Sequence, residues 1–266
     1  MRSLSIFARA LALALVLSVA ACSTTDTEEF DETRSWSAER IYNEAKGELL
    51  AGSYKKAAEL YQKLEARYPY GKYAQQSQLE LAYAYYKDNE VVLALAEVER
   101  FIKLYPDHNN LDYALYLKGL INFNEDLGLF GGLANQDMSE RDPKAAVESF
   151  EAFRELVERY PESRYAGDAY QRMRYLVNAL ATNEVRVAAY YMRRKAYVAA
   201  VNRAQAVVLN YQQTPAVESA LVILVKSYDA LGLTDLRDDA QRLLALNYPD
   251  SELQVAGRDR KWWQFW

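Results

Sequence analysis

The chain has one histidine, His108, and one cysteine, Cys22, so its chemistry begins from a short inventory. His108 lies in the segment "PDHNN", and no motif places a serine or cysteine nucleophile beside it, so it reads as a solvated loop residue rather than a general base. One histidine and one cysteine cannot complete a zinc site of the usual kind. The sequence contains no HExxH, no GxSxG and no GxxxxGK[ST]. The glycine-rich "GLFGGL" (Gly128–Leu133) lacks the lysine and following helix of a phosphate loop and reads as a mobile or docking insertion, in the second case with Leu129 and Phe130 meeting a partner. The carboxylate pairs Glu28-Glu29 and Asp238-Asp239 stand in polar stretches that water can reach. Arg193, Arg194 and Lys195 form a basic turn. It suits either a helix end, where cations complement the dipole, or docking of an acidic partner. We expect no enzyme, no cofactor and no metal.

Cys22 has a different chemistry. Arg2 and Arg9 precede an apolar run from Ala10 to Val19, which is too short to span a bilayer comfortably and reads as a signal-peptide core. The run leads into Val19-Ala20-Ala21-Cys22, which resembles the bacterial lipobox. That motif implies cleavage before Cys22 and a covalent lipid there, N-acyl and S-diacylglycerol. Each buried methylene contributes about 0.8 kcal/mol, and stable anchoring takes more than one acyl chain. Ser23 follows, not the aspartate associated with inner-membrane retention, so the motif implies the inner leaflet of the outer membrane, facing the periplasm.

The domain reading follows: signal peptide over 1–21, acylated cysteine and polar tether over 22–35, a folded part over 36–250, and an aromatic tail over 251–266. Net charge is −5 for the whole chain; without the first 21 residues, 30 basic and 37 acidic residues give −7. An acidic surface is a poor general binder of nucleic acid, which is therefore not an expected partner.

The elements that carry these residues announce themselves by repetition. Tyr-Pro recurs at Tyr68-Pro69, Tyr105-Pro106, Tyr160-Pro161 and Tyr248-Pro249, each time where an apolar helical pattern stops. Ala45, Gly52, Tyr54, Ala57, Tyr61 and Leu64 in the first unit, and Leu81, Ala82, Tyr85, Ala94, Val98 and Phe101 in the second, fall into the tetratricopeptide pattern of paired antiparallel helices. We therefore expect an all-α, right-handed solenoid of about five helix pairs, stabilised by nearest-neighbour stacking. The third unit is split by an insertion between Phe123 and Pro143. One further helix over 163–180 and a separate fourth unit from Glu184 are expected after it. In such solenoids the first helix of each pair lines the binding face. That places Tyr42, Lys46 and Leu49, then Leu79, Tyr83, Tyr86 and Lys87, where aromatic rings and ammonium groups could hold an extended peptide or its terminal carboxylate. The alternative is that the tyrosines simply fill the core.

The segments "RYPYGKYAQQSQLELAYAYYK", "RFIKLYPDHNNLDYALYLKGL", the insertion ending "ERDP", and "AYVAAVNR" resemble the BamD (ComL) family, the lipoprotein subunit of the outer-membrane β-barrel assembly machine. The resemblance implies a non-enzymatic scaffold that receives unfolded outer-membrane proteins at its first repeats. Its last repeats would dock the periplasmic domains of the central barrel subunit, beside other assembly lipoproteins. Carried onto this sequence, Lys55 and Tyr68 fall at the substrate end and Arg203 at the partner end. Lys55 stands where an arginine is familiar, which keeps the charge and loses the bidentate fork. A pilotin-type lipoprotein assisting a secretin is the alternative. A lytic transglycosylase would need a further catalytic domain. The tail "RDRKWWQFW" (Arg258–Trp266) departs from the family pattern. Three roles are open to it: packing on the last repeat, sitting at the membrane interface, or imitating the aromatic-ended strand of a barrel substrate.

Overall fold

A computed structural model describes residues 31–123 and 143–251. Cys22, the Gly128–Leu133 insertion and the Arg258–Trp266 tail, each singled out above, lie outside the described residues. Among the described residues ten α-helices follow one another: α1 (Ala38–Leu50), α2 (Tyr54–Arg67), α3 (Lys72–Lys87), α4 (Val91–Leu104), α5 (Leu111–Phe123), α6 (Pro143–Arg159), α7 (Ala166–Arg193), α8 (Tyr197–Asn210), α9 (Ala216–Leu231) and α10 (Thr234–Asn247). Each packs on its sequence neighbours, and α1 also meets α3, α3 meets α5, and α7 meets α9. This is a tetratricopeptide-like solenoid of five helix pairs, as the repeat predicts.

Every second helix ends in the same way, and the tyrosines explain it. The N–H groups of Tyr68, Tyr105, Tyr160, Tyr211 and Tyr248 donate to the carbonyls of Leu64, Phe101, Leu156, Val207 and Leu244, all of which are buried. Tyr68, Tyr105 and Tyr248 have φ between −129° and −137° and ψ between 61° and 66°, outside the α region that a following proline disfavours. Tyr211 is followed by glutamine, yet it closes α8 with φ −128°. The tyrosine therefore marks all five pairs, whereas the proline marks four.

The turns inside the pairs are equally uniform. After α1, α3, α7 and α9 a left-handed residue, Gly52, Asn89, Lys195 or Gly232, allows a Schellman closure, with Ser53, Glu90, Ala196 and Leu233 donating back to Glu48, Tyr85, Tyr191 and Tyr228. A lysine at φ 61° carries a Cβ cost of about 1–2 kcal/mol. Lys195→Gly should therefore stabilise the chain by about 0.5–1 kcal/mol after the added unfolded-state entropy, read as a raised urea midpoint at unchanged slope.

Three expectations need correction. The helix expected over 163–180 and the first helix of the fourth unit are one element, α7, of 28 residues. Beyond Gly167 in its first turn it has no glycine or proline, and the Thr182 hydroxyl satisfies itself on the Asn178 carbonyl at 2.8 Å instead of capping a new helix. Residues 31–35, expected in the tether, are ordered: Asp31 caps a 3₁₀ turn over Glu32–Ser35 that Arg67 holds against the end of α2. His108 is half-buried rather than solvated. Its ring sits edge-on to Phe101 at 5.1 Å, and its Nδ1 accepts from the Asn110 N–H at 3.0 Å.

The core is a chain of clusters rather than one nucleus. Ile41, Tyr61 and Leu64 centre the first, Phe101 and Leu117 the second, Phe153 and Leu156 the third, and Val207 and Leu224 one shared by the last two pairs. Tyr85 and Tyr160 each pack on two successive clusters, so the tyrosines also join the repeats.

Candidate functional site

The first two repeats hold a polar constellation whose centre is a residue the sequence reading did not single out. Glu80, on α3, is only 9% exposed and faces α1 and α2. Its carboxylate accepts from the Tyr42 hydroxyl at 2.8 Å, the Lys46 ammonium at 2.9 Å, the Gln76 amide at 3.1 Å and the Tyr61 hydroxyl. Burial alone would push the Glu80 carboxyl up, but these four donors outweigh it and hold its pKa below the ordinary glutamate value. The Glu80 hydrogen bond raises Lys46, while burial followed by the same carboxylate raises Tyr42 and Tyr61. All four groups are thus fixed in one protonation state at neutral pH. The arrangement is a positioning device, not an acid–base pair.

Above this anchor the surface is aromatic and cationic. The Tyr42 ring lies 5.4 Å from that of Tyr73, and Lys72 stands 4.9 Å over Tyr73. Lys46 keeps 44% of its side chain exposed, and Tyr70 is 90% exposed at the first inter-repeat corner. A rigid ring pair flanked by two ammonium groups can stack an apolar side chain and pair with a carboxylate.

The other predicted residues are spread more widely. Tyr68 closes α2 and donates its hydroxyl to the Trp36 carbonyl at 2.9 Å, so it fastens the N-terminal turn while keeping an exposed edge. Tyr83 and Tyr86 are half-buried with ring centres 6.4 Å apart, one repeat further on. Lys87 turns back to Tyr54, 5.9 Å from its ring. Leu79, grouped with these on the binding face, is core at 1% exposure. Lys55 is exposed elsewhere, at a cavity of about 250 Å³ lined also by Ala58, Gln62, Tyr85 and Leu93. At the far end, Arg203 on α8 pairs with both carboxylate oxygens of Glu184 on α7 at 3.2 Å. Arg193 is exposed at the last position of α7, and Arg194 caps the helix with its guanidinium 5.4 Å from the Tyr190 ring.

Asp31 gives this end a pH dependence. Hydrogen bonds from the Thr33 hydroxyl and N–H, with Lys63 nearby, lower its carboxyl to about 2. The folded value lies below the unfolded one, so this contribution is present above about pH 4 and is lost as pH falls toward 2. Acid titration should release the 31–36 segment in that window, read as a change in Trp36 fluorescence that Asp31→Asn abolishes.

Among the described residues no helix is long and apolar enough to cross a membrane, and no group of three or more His, Cys, Asp or Glu side chains could hold a metal ion.

Comparison with known proteins places this architecture. The family model described as YfiO, outer membrane lipoprotein, matches residues 34–243. The outer membrane protein assembly factor BamD of Neisseria meningitidis serogroup A is 49% identical over 261 residues, covering 96% of this chain and 98% of the relative. The protein of the same name from Vibrio cholerae is 40% identical over 208 residues, covering 78% and 86%. That from Xylella fastidiosa strain Temecula1 is 36% identical over 241 residues, covering 91% and 82%. The chain belongs to the YfiO family of outer membrane lipoproteins.

Proposed function

We propose that this protein is a scaffold and receptor of outer-membrane β-barrel assembly, held by lipid on Cys22 to the inner leaflet of the outer membrane and facing the periplasm. Its relatives are named outer membrane protein assembly factors, and the observation that favours a receptor role is the anchored Tyr42–Lys46–Tyr73–Lys72 surface on the first repeats. An unfolded outer-membrane protein presents an extended strand. Its aromatic side chains would stack on the ring pair and its carboxylates would meet the two ammonium groups. Tyr68 and the exposed Tyr70 extend this surface around the corner, with Tyr83, Tyr86, Lys55 and Lys87 as further contacts. Arg203, with Arg193 and Arg194, would meet the periplasmic domains of the central barrel subunit and its companion lipoproteins at the other end.

Affinity purification of the tagged protein from detergent-extracted outer membranes tests the complex. Recovery of a barrel protein with tandem periplasmic domains is expected, and recovery of a secretin instead would make the protein a pilotin. Two variants separate the two ends. Lys46→Ala with Lys72→Ala should weaken binding of an aromatic-ended peptide by about 1 kcal/mol, roughly fivefold in Kd, while leaving the barrel subunit bound. Arg203→Glu sets two carboxylates against each other at Glu184 and should lose the barrel subunit while peptide affinity stays unchanged.

A further inference from the structure

The five closing tyrosines give a common register in which the exposed sides of the second helices can be compared. At the places twelve, five and two residues before the tyrosine, α2 carries Lys56, Lys63 and Ala66, and α6 carries Glu148, Glu155 and Glu158. On α4 they are Leu93, which is 45% exposed, then Arg100 and Lys103. On these three helices at least two of the three places are charged, which suits a solvated face. On α10 the same three places are Leu236, Leu243 and Leu246, which are 46%, 46% and 80% exposed, and the last of them is preceded on α8 by Leu209 at 68%. Leu236 and Leu243 lie two turns apart, one above the other, with Leu246 a further turn on. Exposed leucines at all three of these places on one helix are not the scattered single residues expected of a soluble surface.

The end of the solenoid itself does not need this stripe. The side of α10 that a sixth repeat would cover carries Asp238 and Arg242, in ion pairs with Arg237 and Asp239, which is the polar closure a terminal repeat requires. The leucines stand at other positions around α10 and are left exposed.

We propose that the occupant is the chain's own residues 258–266. Fifteen residues follow Ser251 in the sequence, and α10 is about 21 Å long against a reach of about 50 Å for fifteen extended residues. The Tyr248-Pro249 turn ends α10 next to Leu246, so the described chain leaves the helix beside the stripe. The composition of residues 258–266 fits what they would cover. Trp262, Trp263, Phe265 and Trp266 supply the apolar area, and Arg258, Arg260 and Lys261 carry charge opposite to Asp235 beside Leu236.

The test is photo-crosslinking in the membrane-bound, full-length protein with Leu243→p-benzoylphenylalanine, followed by peptide mapping of the adduct. A product of monomer mass joining position 243 to residues 258–266 is expected. Leu236→Lys with Leu246→Lys should abolish it, and the same probe placed at Ala245 should not give it. An adduct of dimer mass means a second copy occupies the stripe. An adduct to another protein or to lipid names a different occupant. Any of these, or the absence of an adduct to the tail, overturns the proposal.

Discussion

Gly119→Ala should destabilise the protein by about 2 kcal/mol even though it improves the helix. Alanine in place of glycine inside α5 is worth about 1 kcal/mol in helix propensity. A methyl at this position, however, would stand 2.3–2.7 Å from three atoms of the Phe153 ring, closer than any real contact. Phe153 is fully buried, with Tyr116 at 5.9 Å and Phe123 at 6.4 Å, so the ring has no open side to move into. Nor can the helices separate freely, because the buried Ser149 hydroxyl on α6 donates to the Gly119 carbonyl at 2.8 Å. Overpacking of this kind costs about 1–3 kcal/mol, and a clash with no escape belongs at or above the top of that range. Phe153→Leu alone should cost about 1–1.5 kcal/mol. Combined with Gly119→Ala it should cost less than the sum, because the smaller side chain admits the methyl. Urea unfolding of the four proteins measures the coupling. An additive pair would show that α5 and α6 do not meet through Gly119.

Glu80→Ala should cost about 2–4 kcal/mol, and the loss should be confined to the first repeats. The substitution removes one acceptor and strands several donors. Of these, Lys46 can turn to water, but the fully buried Tyr61 hydroxyl cannot. Glu80→Gln keeps the shape and one acceptor oxygen and should cost about 1–2 kcal/mol. In a solenoid each repeat is stabilised only by its neighbours, so hydrogen exchange should rise in α1, α2 and α3 and stay unchanged in α8, α9 and α10. The sign with pH follows from the lowered carboxyl. Its stabilisation is present above the ordinary glutamate range and is lost as pH falls through the folded value, so wild type and Glu80→Gln should converge in acid. The same variant bears on the proposed receptor surface. Without Glu80, Tyr42 and Lys46 lose their common anchor, and peptide affinity should fall although neither residue has been changed. Unchanged affinity in Glu80→Ala would separate the anchor from the binding surface.

These two residues also show where sequence stops. Helix existence, the pairing of helices and their number were determined locally: apolar spacing of three and four, Gly52 and Gly232 at turns, and tyrosine before proline all act within a few residues along the chain. Family membership was legible for the same reason, since a repeat register and its insertions are linear patterns. Nothing local distinguishes Gly119 from the exposed Gly47, or Glu80 from the many glutamates on helix surfaces. What sets them apart is which neighbour crosses within a few ångströms. The one available signal for Glu80 was a carboxylate flanked by Leu79 and Leu81 in a stretch that buries on every side. Likewise Tyr42, Lys46 and Lys87 occupy comparable places on first helices, yet the first two converge on Glu80 and the third turns back to Tyr54. Even the length of α7 was a tertiary outcome, because propensity permits a break at Thr182 and packing against both α8 and α9 removes the reason for one. The sequence determined that helices pair and stack. The tertiary structure decided which polar groups are buried together, because the cost of burying a charge or crowding a ring depends on distances that no linear spacing encodes.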